Sequence, residues 1–197
     1  IRGVESEKIL PLVSALYDGG IRIVEVTFPQ GEDDRKTFES IKLIKDNFQD
    51  KIHVGSGTVL TKKQVILTKK AGGEFVISPD TYKKIIKKTR KLNMISIPGA
   101  FTPTEIMKAV RLKADFVKVF PASSLGVEYI KAIRVPLSKV KLLVASGVNL
   151  ENIKDYLEIG VSGFGLSSTI INKEMLEKDD FNGIRDLAKK YVDLIKQ

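Results

Sequence analysis

The chain has no cysteine and a single histidine, His53, in 197 residues. Without Cys there is no disulfide, no thiol nucleophile and no thiolate metal site. A Ser-His-Asp triad could draw only on His53, and no elbow-like Gly-x-Ser-x-Gly precedes a helix where such a triad needs it. His53 lies between Ile52 and Val54 in an expected strand and reads as a structural residue. One His and no Cys leave transition metals without their usual ligands, so neither a metal nor a cofactor is expected. No apolar run reaches transmembrane length and no charged-then-apolar leader is present, so no membrane partner is expected. The chain opens on Ile1-Arg2-Gly3 rather than Met. That start reads as the tail of a strand, and the N-terminal part of this strand is expected to lie upstream.

Charge is plentiful and unbalanced: 33 Lys and Arg against 24 Asp and Glu, a formal net charge of +9. Nucleic-acid binding is the first thought for such a balance. However, the lysines fall mainly in helical patterns, at Lys62-Lys63, Lys69-Lys70, Lys83-Lys84, Lys87-Lys88 and Lys189-Lys190. They lie beside apolar positions at helical spacing, as solvated helix faces do. Aromatic interleaving is sparse and no stacking platform is visible. The expectation is no nucleic acid and a general attraction for anionic small substrates. Asp33-Asp34 and Asp179-Asp180 are carboxylate pairs, but each sits in a polar stretch that reads as a helix start.

Strand and helix patterns alternate along the chain. The expected strands are 21–28, 52–55, 75–78, 94–98, 116–120, 140–144 and 163–166, with Ile1-Arg2 as the end of one more. They are short, apolar and rich in β-branched residues, as strands of a buried parallel sheet are. Helical patterns cover 5–18, 33–48, 61–71, 80–93, 103–113, 126–133, 149–159 and 179–196. Thr61 and Asn149 are candidate caps, and Thr102-Pro103-Thr104-Glu105 places Pro at a first helical position. Gly19-Gly20 and Gly72-Gly73 follow helices as C-terminal glycines do. Eight strands and eight helices in alternation predict a (β/α)8 TIM barrel over residues 1–197, one domain with no linker. A doubly wound open sheet is the alternative. It calls for Gly-x-Gly-x-x-Gly after the first strand, which is absent.

In a barrel, reacting groups stand at the C-terminal ends of strands. Lys118 lies in Phe116-Val117-Lys118-Val119-Phe120, inside an apolar strand. A buried ammonium is costly unless it is paired or has lost its proton. A lysine with a depressed pKa is a nucleophile that forms Schiff bases with carbonyls. Glu25 lies in Ile23-Val24-Glu25-Val26-Thr27. Alternation puts Phe116, Lys118 and Phe120 on one face of their strand and Ile23, Glu25 and Thr27 on one face of theirs. If both faces point inward, Glu25 and Lys118 share an interior. They then form either a buried ion pair or a Schiff-base lysine with a carboxylate acid/base beside it.

Six segments in order carry a resemblance: Val24-Glu25-Val26-Thr27, Val54-Gly55-Ser56-Gly57-Thr58-Val59, Phe75-Val76-Ile77-Ser78-Pro79, Ile97-Pro98-Gly99, Thr102-Pro103-Thr104-Glu105 and Val117-Lys118-Val119-Phe120-Pro121. Together they closely resemble the 2-keto-3-deoxy-6-phosphogluconate (KDPG) / 4-hydroxy-2-oxoglutarate (KHG) aldolase family, over nearly the whole chain. The resemblance implies a metal-free class I aldolase with a TIM-barrel fold, a homotrimer, that splits a 2-keto-4-hydroxy acid into pyruvate and an aldehyde. It implies that Lys118 is the Schiff-base lysine and Glu25 the general acid/base. It places Arg2 and Thr58 near the substrate carboxylate, with Pro79 and Phe120 as further substrate contacts. The phosphate of a sugar acid falls to Ser146, Gly147, Ser167 and Ser168. A cytoplasmic location goes with the metabolic role and the lack of Cys.

The chain departs from the family pattern at three places. Pro29, followed by Gln30, stands where many members have an arginine four residues after the catalytic glutamate. Val144-Ala145-Ser146-Gly147 replaces Pro-Thr-Gly-Gly, and Ser167-Ser168 replaces Gly-Ser. Glycines let a backbone approach phosphate, and a left-handed backbone at Ser146 or Ser167 would be strained. The substrate expected is the 6-phosphogluconate acid, giving glyceraldehyde 3-phosphate beside pyruvate. 4-Hydroxy-2-oxoglutarate and the galactonate epimer are alternatives. A non-catalytic sugar-phosphate-binding barrel is the alternative of another class.

Overall fold

Seven runs of mostly β-branched and small residues form the strands, each too short to pair alone and each covered by a following helix. In a computed structural model, which describes residues 1–31 and 33–196, they assemble into one curled parallel sheet. The strands are β1 Ile23–Thr27, β2 His53–Gly57, β3 Phe75–Ser78, β4 Ile95–Ala100, β5 Val117–Val119, β6 Leu142–Ala145 and β7 Gly163–Gly165. They pair in sequence order, β1 to β7, and every pairing is parallel. The helices are α1 Ser6–Asp18, α2 Arg35–Phe48, α3 Lys62–Lys70, α4 Lys83–Lys91, α5 Pro103–Arg111, α6 Gly126–Arg134, α7 Ile153–Glu158, α8 Lys173–Glu177 and α9 Phe181–Lys196.

Start signals act as their chemistry requires. Thr61 and Thr102 each accept the N–H three residues on, and Gln64 and Glu105 reach back to complete capping boxes. Asn149 does not cap α7. Its side chain accepts from the N–H groups of Glu151 and Asn152 in the preceding turn, and the helix starts at Ile153. Helix α8 was not expected from the sequence. It is five residues long, and Asn172 holds it by accepting from Glu174 and Met175 N–H.

The alternation of each strand decides where its side chains go. Val24 and Val26 of β1, Val117 and Val119 of β5, and Leu142 and Val144 of β6 are buried against the helical layer with Ile41, Ile44, Ile106 and Ile130. Each such side chain contributes roughly 1.5–3 kcal/mol on burial. A smaller cluster joins Phe28, Val59, Val65, Val76, Ile85 and Met94 under α3 and α4. The residues between them face the interior of the curl, and there the chemistry-bearing groups stand.

Ile1-Arg2 does not add a full strand among the described residues. Ile1 makes one parallel bridge along the outer edge of β1, donating its nitrogen to the Glu25 carbonyl at 2.5 Å and accepting from Thr27 N–H at 2.9 Å. Gly3 then turns the chain away at a φ of 61°, toward α1.

Candidate active site

Lys118 is the central residue of the three-residue strand β5, between buried Val117 and Val119. Its own side chain is half-buried in the interior of the curl. Burial pushes its pKa down; the Glu25 carboxylate opposes that and the Arg2 guanidinium adds to it, with a net lowering. Among the described residues, Lys118 Nζ has no hydrogen-bond or ion-pair partner. Its nearest specific contact is the Phe120 ring, 4.6 Å from Nζ to the centroid. A cation over a ring is held weakly and leaves the amine lone pair, once formed, open to a carbonyl.

Glu25 faces the same interior from β1, so alternation correctly places the two side chains on inward faces. Its carboxylate leans toward β2 and lies over Gly57. Arg2 comes in from the N-terminal segment, and its Nη2 donates to Thr58 Oγ1 at 3.1 Å. Thr58 itself sits in the left-handed region at φ 55°. For a β-branched residue that is unusual and costs about 1–3 kcal/mol. The Gln30 amide donates to the carbonyls of Phe28 and Thr58 at 3.4 and 3.5 Å, so the loop after β1 is tied to the Arg2–Thr58 pair.

Pro79 follows β3 and packs its carbonyl against Gly99 of β4. Gly99 is the ladder partner of Lys118, so Pro79 reaches the site through Gly99. Phe120 is 37% exposed at the end of β5.

Ser146 and Gly147 follow β6 and both take positive φ, 72° and 82°. The strain expected from a side chain at residue 146 is present. Ser167 is not in that region: its carbonyl accepts from Ile170 and Ile171 N–H at 2.9 and 2.7 Å in an ordinary turn. Ser167 and Ser168 are exposed after β7, beside the loop of Ser146 because Ala145 and Gly165 are ladder partners. The sequence reading missed Ser123, whose hydroxyl is 3.3 Å from that of Ser146. It also passed over Gly57 and Gly99 as site residues. A glycine inside a strand signals close approach of a neighbour, but both lie just past the strands expected from the sequence, and the signal appears only once pairing extends β2 and β4 over them.

A cavity of about 530 Å³ opens at the opposite end of β5, between Phe116, Pro136 and Lys141. Its carboxylate, Asp115, is engaged by Arg90 and by Ser96 N–H. Lys118 points to the other end. Among the described residues, no helix is long and apolar enough to cross a membrane.

The arrangement suits attack of an amine on a carbonyl: a desolvated lysine, a carboxylate in electrostatic reach of it, and a guanidinium beside a hydroxyl. The comparisons agree. The profile of the KDPG and KHG aldolase family matches residues 1–187. The 2-dehydro-3-deoxy-phosphogluconate aldolase of Haemophilus influenzae is 33% identical, over 97% of this chain and 88% of that protein. A probable 2-dehydro-3-deoxy-6-phosphogalactonate aldolase of Rhizobium meliloti is 32% identical, over 91% and 83%. Among solved structures, the KDPG aldolase of Legionella pneumophila, captured with pyruvate as a covalent carbinolamine, superposes with a TM-score of 0.88 at 30% identity, over 96% and 90% of the two chains. With its matching sequence, its curled parallel sheet and a desolvated lysine in the sheet's interior, the chain belongs to the KDPG and KHG aldolase family.

Proposed function

We propose that the protein cleaves 2-keto-3-deoxy-6-phosphogluconate to pyruvate and glyceraldehyde 3-phosphate, with Lys118 as the Schiff-base residue. The observation that carries this is Lys118 itself: burial holds its amine toward the neutral form, with Glu25 close enough to act on it electrostatically. The neutral amine attacks the C2 carbonyl, and the carbinolamine loses water to an iminium. Glu25 takes the C4 hydroxyl proton as the C3–C4 bond breaks. The bonding pair moves into the iminium, giving an enamine and the free aldehyde. The proton is returned to C3, and water releases pyruvate and the amine. Glu25 also moves protons in carbinolamine formation. The Arg2–Thr58 pair holds the substrate carboxylate, where a guanidinium fork fits two oxygens. Pro79 and Phe120 line the reacting carbons. Ser146, Gly147, Ser167 and Ser168 hold the phosphate.

The galactonate epimer is the second substrate reading. The likeness to the Rhizobium meliloti protein supports it. Pro29, in place of the arginine many relatives carry, weighs instead against 4-hydroxy-2-oxoglutarate. The same reading makes the sheet an eight-place barrel, with the Ile1 segment in the eighth place beside β1. It also makes the enzyme a cytoplasmic homotrimer, free of metal and acting without nucleic acid. The test is incubation with pyruvate and borohydride, followed by intact mass and peptide mapping, and then coupled assays on both epimers. A pyruvyl adduct on Lys118 with turnover of either epimer is the expected result. An unmodified lysine in folded protein removes the reading.

A further inference from the structure

Gly57 has no side chain, and the space where one would begin is occupied. A Cβ on Gly57 would lie 1.3 Å from Glu25 Oε1, 2.3 Å from its Cδ and 2.7 Å from its Cγ. The glycine is not demanded by the backbone: Gly57 is in strand β2 and is not among the positive-φ glycines. The three atoms nearest that position all belong to the Glu25 side chain. Residue 57 is the ladder partner of Thr27, so the Glu25 side chain runs forward along the sheet by two residues and rests its head on a bare Cα.

We propose that Gly57 is a positioning residue for the aldol cleavage: its missing side chain makes the seat that holds the Glu25 carboxylate where the C4 hydroxyl proton is taken. The proposal rests on the role given to Glu25 above. Closer approach of heavy atoms than about 3 Å is forbidden outside bonds and hydrogen bonds, so a methyl group at this position and the present carboxylate cannot coexist. Relief is available at the tip of a flexible side chain. The fold therefore tolerates the change, and the displacement falls on the carboxylate. Lys118 lies on β5, three strands along the sheet from β2, so imine formation is left with its nucleophile.

The experiment is Gly57→Ala, read three ways. First, kcat for cleavage is expected to fall about 100-fold, the scale of a lost general base, with KM within about 3-fold. Second, the borohydride-trapped pyruvyl adduct on Lys118 is expected to reach the parent's final yield, only more slowly, because the nucleophile is kept while Glu25 also moves protons in carbinolamine formation. Third, exchange of the C3 protons of pyruvate for deuterium is expected to fall in parallel with cleavage. A merely structural defect would lower the final yield of adduct together with exchange, and that result overturns the proposal. So does a Gly57→Ala enzyme with kcat within about 3-fold of the parent. If Gly57→Ala does not fold, the double variant Glu25→Ala/Gly57→Ala decides. Recovery of the fold supports the seat, because the obstructing side chain is gone, and failure to fold overturns it. A parent protein that traps no pyruvate is a separate failure, of the proposed function, seen before any variant is made.

Discussion

Gly99 and Lys118 stand opposite each other in the β4–β5 ladder. The strand beside Lys118 therefore contributes no side chain at this position, and the backbone of Pro79 closes in there instead. Gly99 differs from Gly57 in what limits it. A Cβ there would meet the Pro79 carbonyl oxygen at 2.2 Å, and that atom is backbone. Nothing flexible can yield. Gly99→Ala is expected to cost about 1–3 kcal/mol of stability, lowering Tm by roughly 5 °C in a chain of this size. Differential scanning calorimetry checks this, and an unchanged Tm would show that the β3–β4 loops have room to move.

Lys118→Met removes the nucleophile and a buried charge together. Turnover and pyruvate trapping are expected to vanish. The folded-state pKa of Lys118 is lowered, so below its ordinary value of 10.5 the fold carries a cost for the charged form. Replacement by Met should therefore leave Tm equal or higher at pH 7. The advantage should disappear as pH rises above the lysine range. A Tm that falls at pH 7 and not at high pH has the wrong sign.

Imine chemistry should follow the same titration. Because the Lys118 pKa is depressed by burial, trapping with pyruvate should reach its plateau at a lower pH than for a free lysine side chain. A profile midpoint at the ordinary lysine value would mean that the amine is solvated in solution.

Thr58 combines a strained backbone with a hydroxyl that meets Arg2. Thr58→Gly relieves the first and deletes the second. Tm is expected to hold or rise, while KM for the keto acid rises about 10-fold, the value of one charge-assisted hydrogen bond. Arg2→Lys, which keeps the charge and loses the fork, should raise KM with little change in kcat. Equal KM in both variants would take the carboxylate away from this pair.

Ser146 poses the same trade on the other side of the site, at φ 72°. Ser146→Gly should raise Tm by about 2 °C through relief of the left-handed backbone. If the Ser146 hydroxyl holds the phosphate, KM for the phosphorylated acid rises as well. Competition by inorganic phosphate, measured in both proteins, separates the two effects.

Acid sensitivity has an address at the far end of the sheet. Burial would raise the Glu74 pKa, but Lys45 at 2.9 Å and His53 at 2.7 Å outweigh it and hold the carboxyl below its ordinary value of 4.5. A depressed carboxylate stabilises the fold above its unfolded pKa and loses that contribution as pH falls through the folded one. Glu74→Gln should lower Tm at pH 7, and the difference should shrink as pH falls below the ordinary carboxylate value of 4.5 through the lower folded-state value. A constant difference across that range would assign Glu74 a packing role instead.

Much of this was legible along the chain because it depends on local rules. The period-2 alternation of Ile23–Thr27 and of the strand around Lys118 placed Glu25 and Lys118 on inward faces. Thr61 as a cap and Pro103 at a first helical position marked α3 and α5, and six ordered motifs marked the family. Strand ends were less legible: β4 runs on to Ala100 and β2 to Gly57, because ladder pairing carries glycines that propensity alone would leave in loops. Helix α8 rests on one asparagine cap, too small a signal to stand out.

The sequence by itself determined the alternation of strand and helix, the family, and the inward-facing position of Lys118 in an apolar strand, since hydrophobic period and residue type are properties of neighbours in the chain. The tertiary structure decided the rest. It tied Arg2 to Thr58 across 56 residues and joined the loops of Ser123 and Ser146. It laid Glu25 over a glycine thirty-two positions on. These are contacts between distant strand ends, and only the curl of the sheet, driven by burial of its outer face against the helices, brings them within reach.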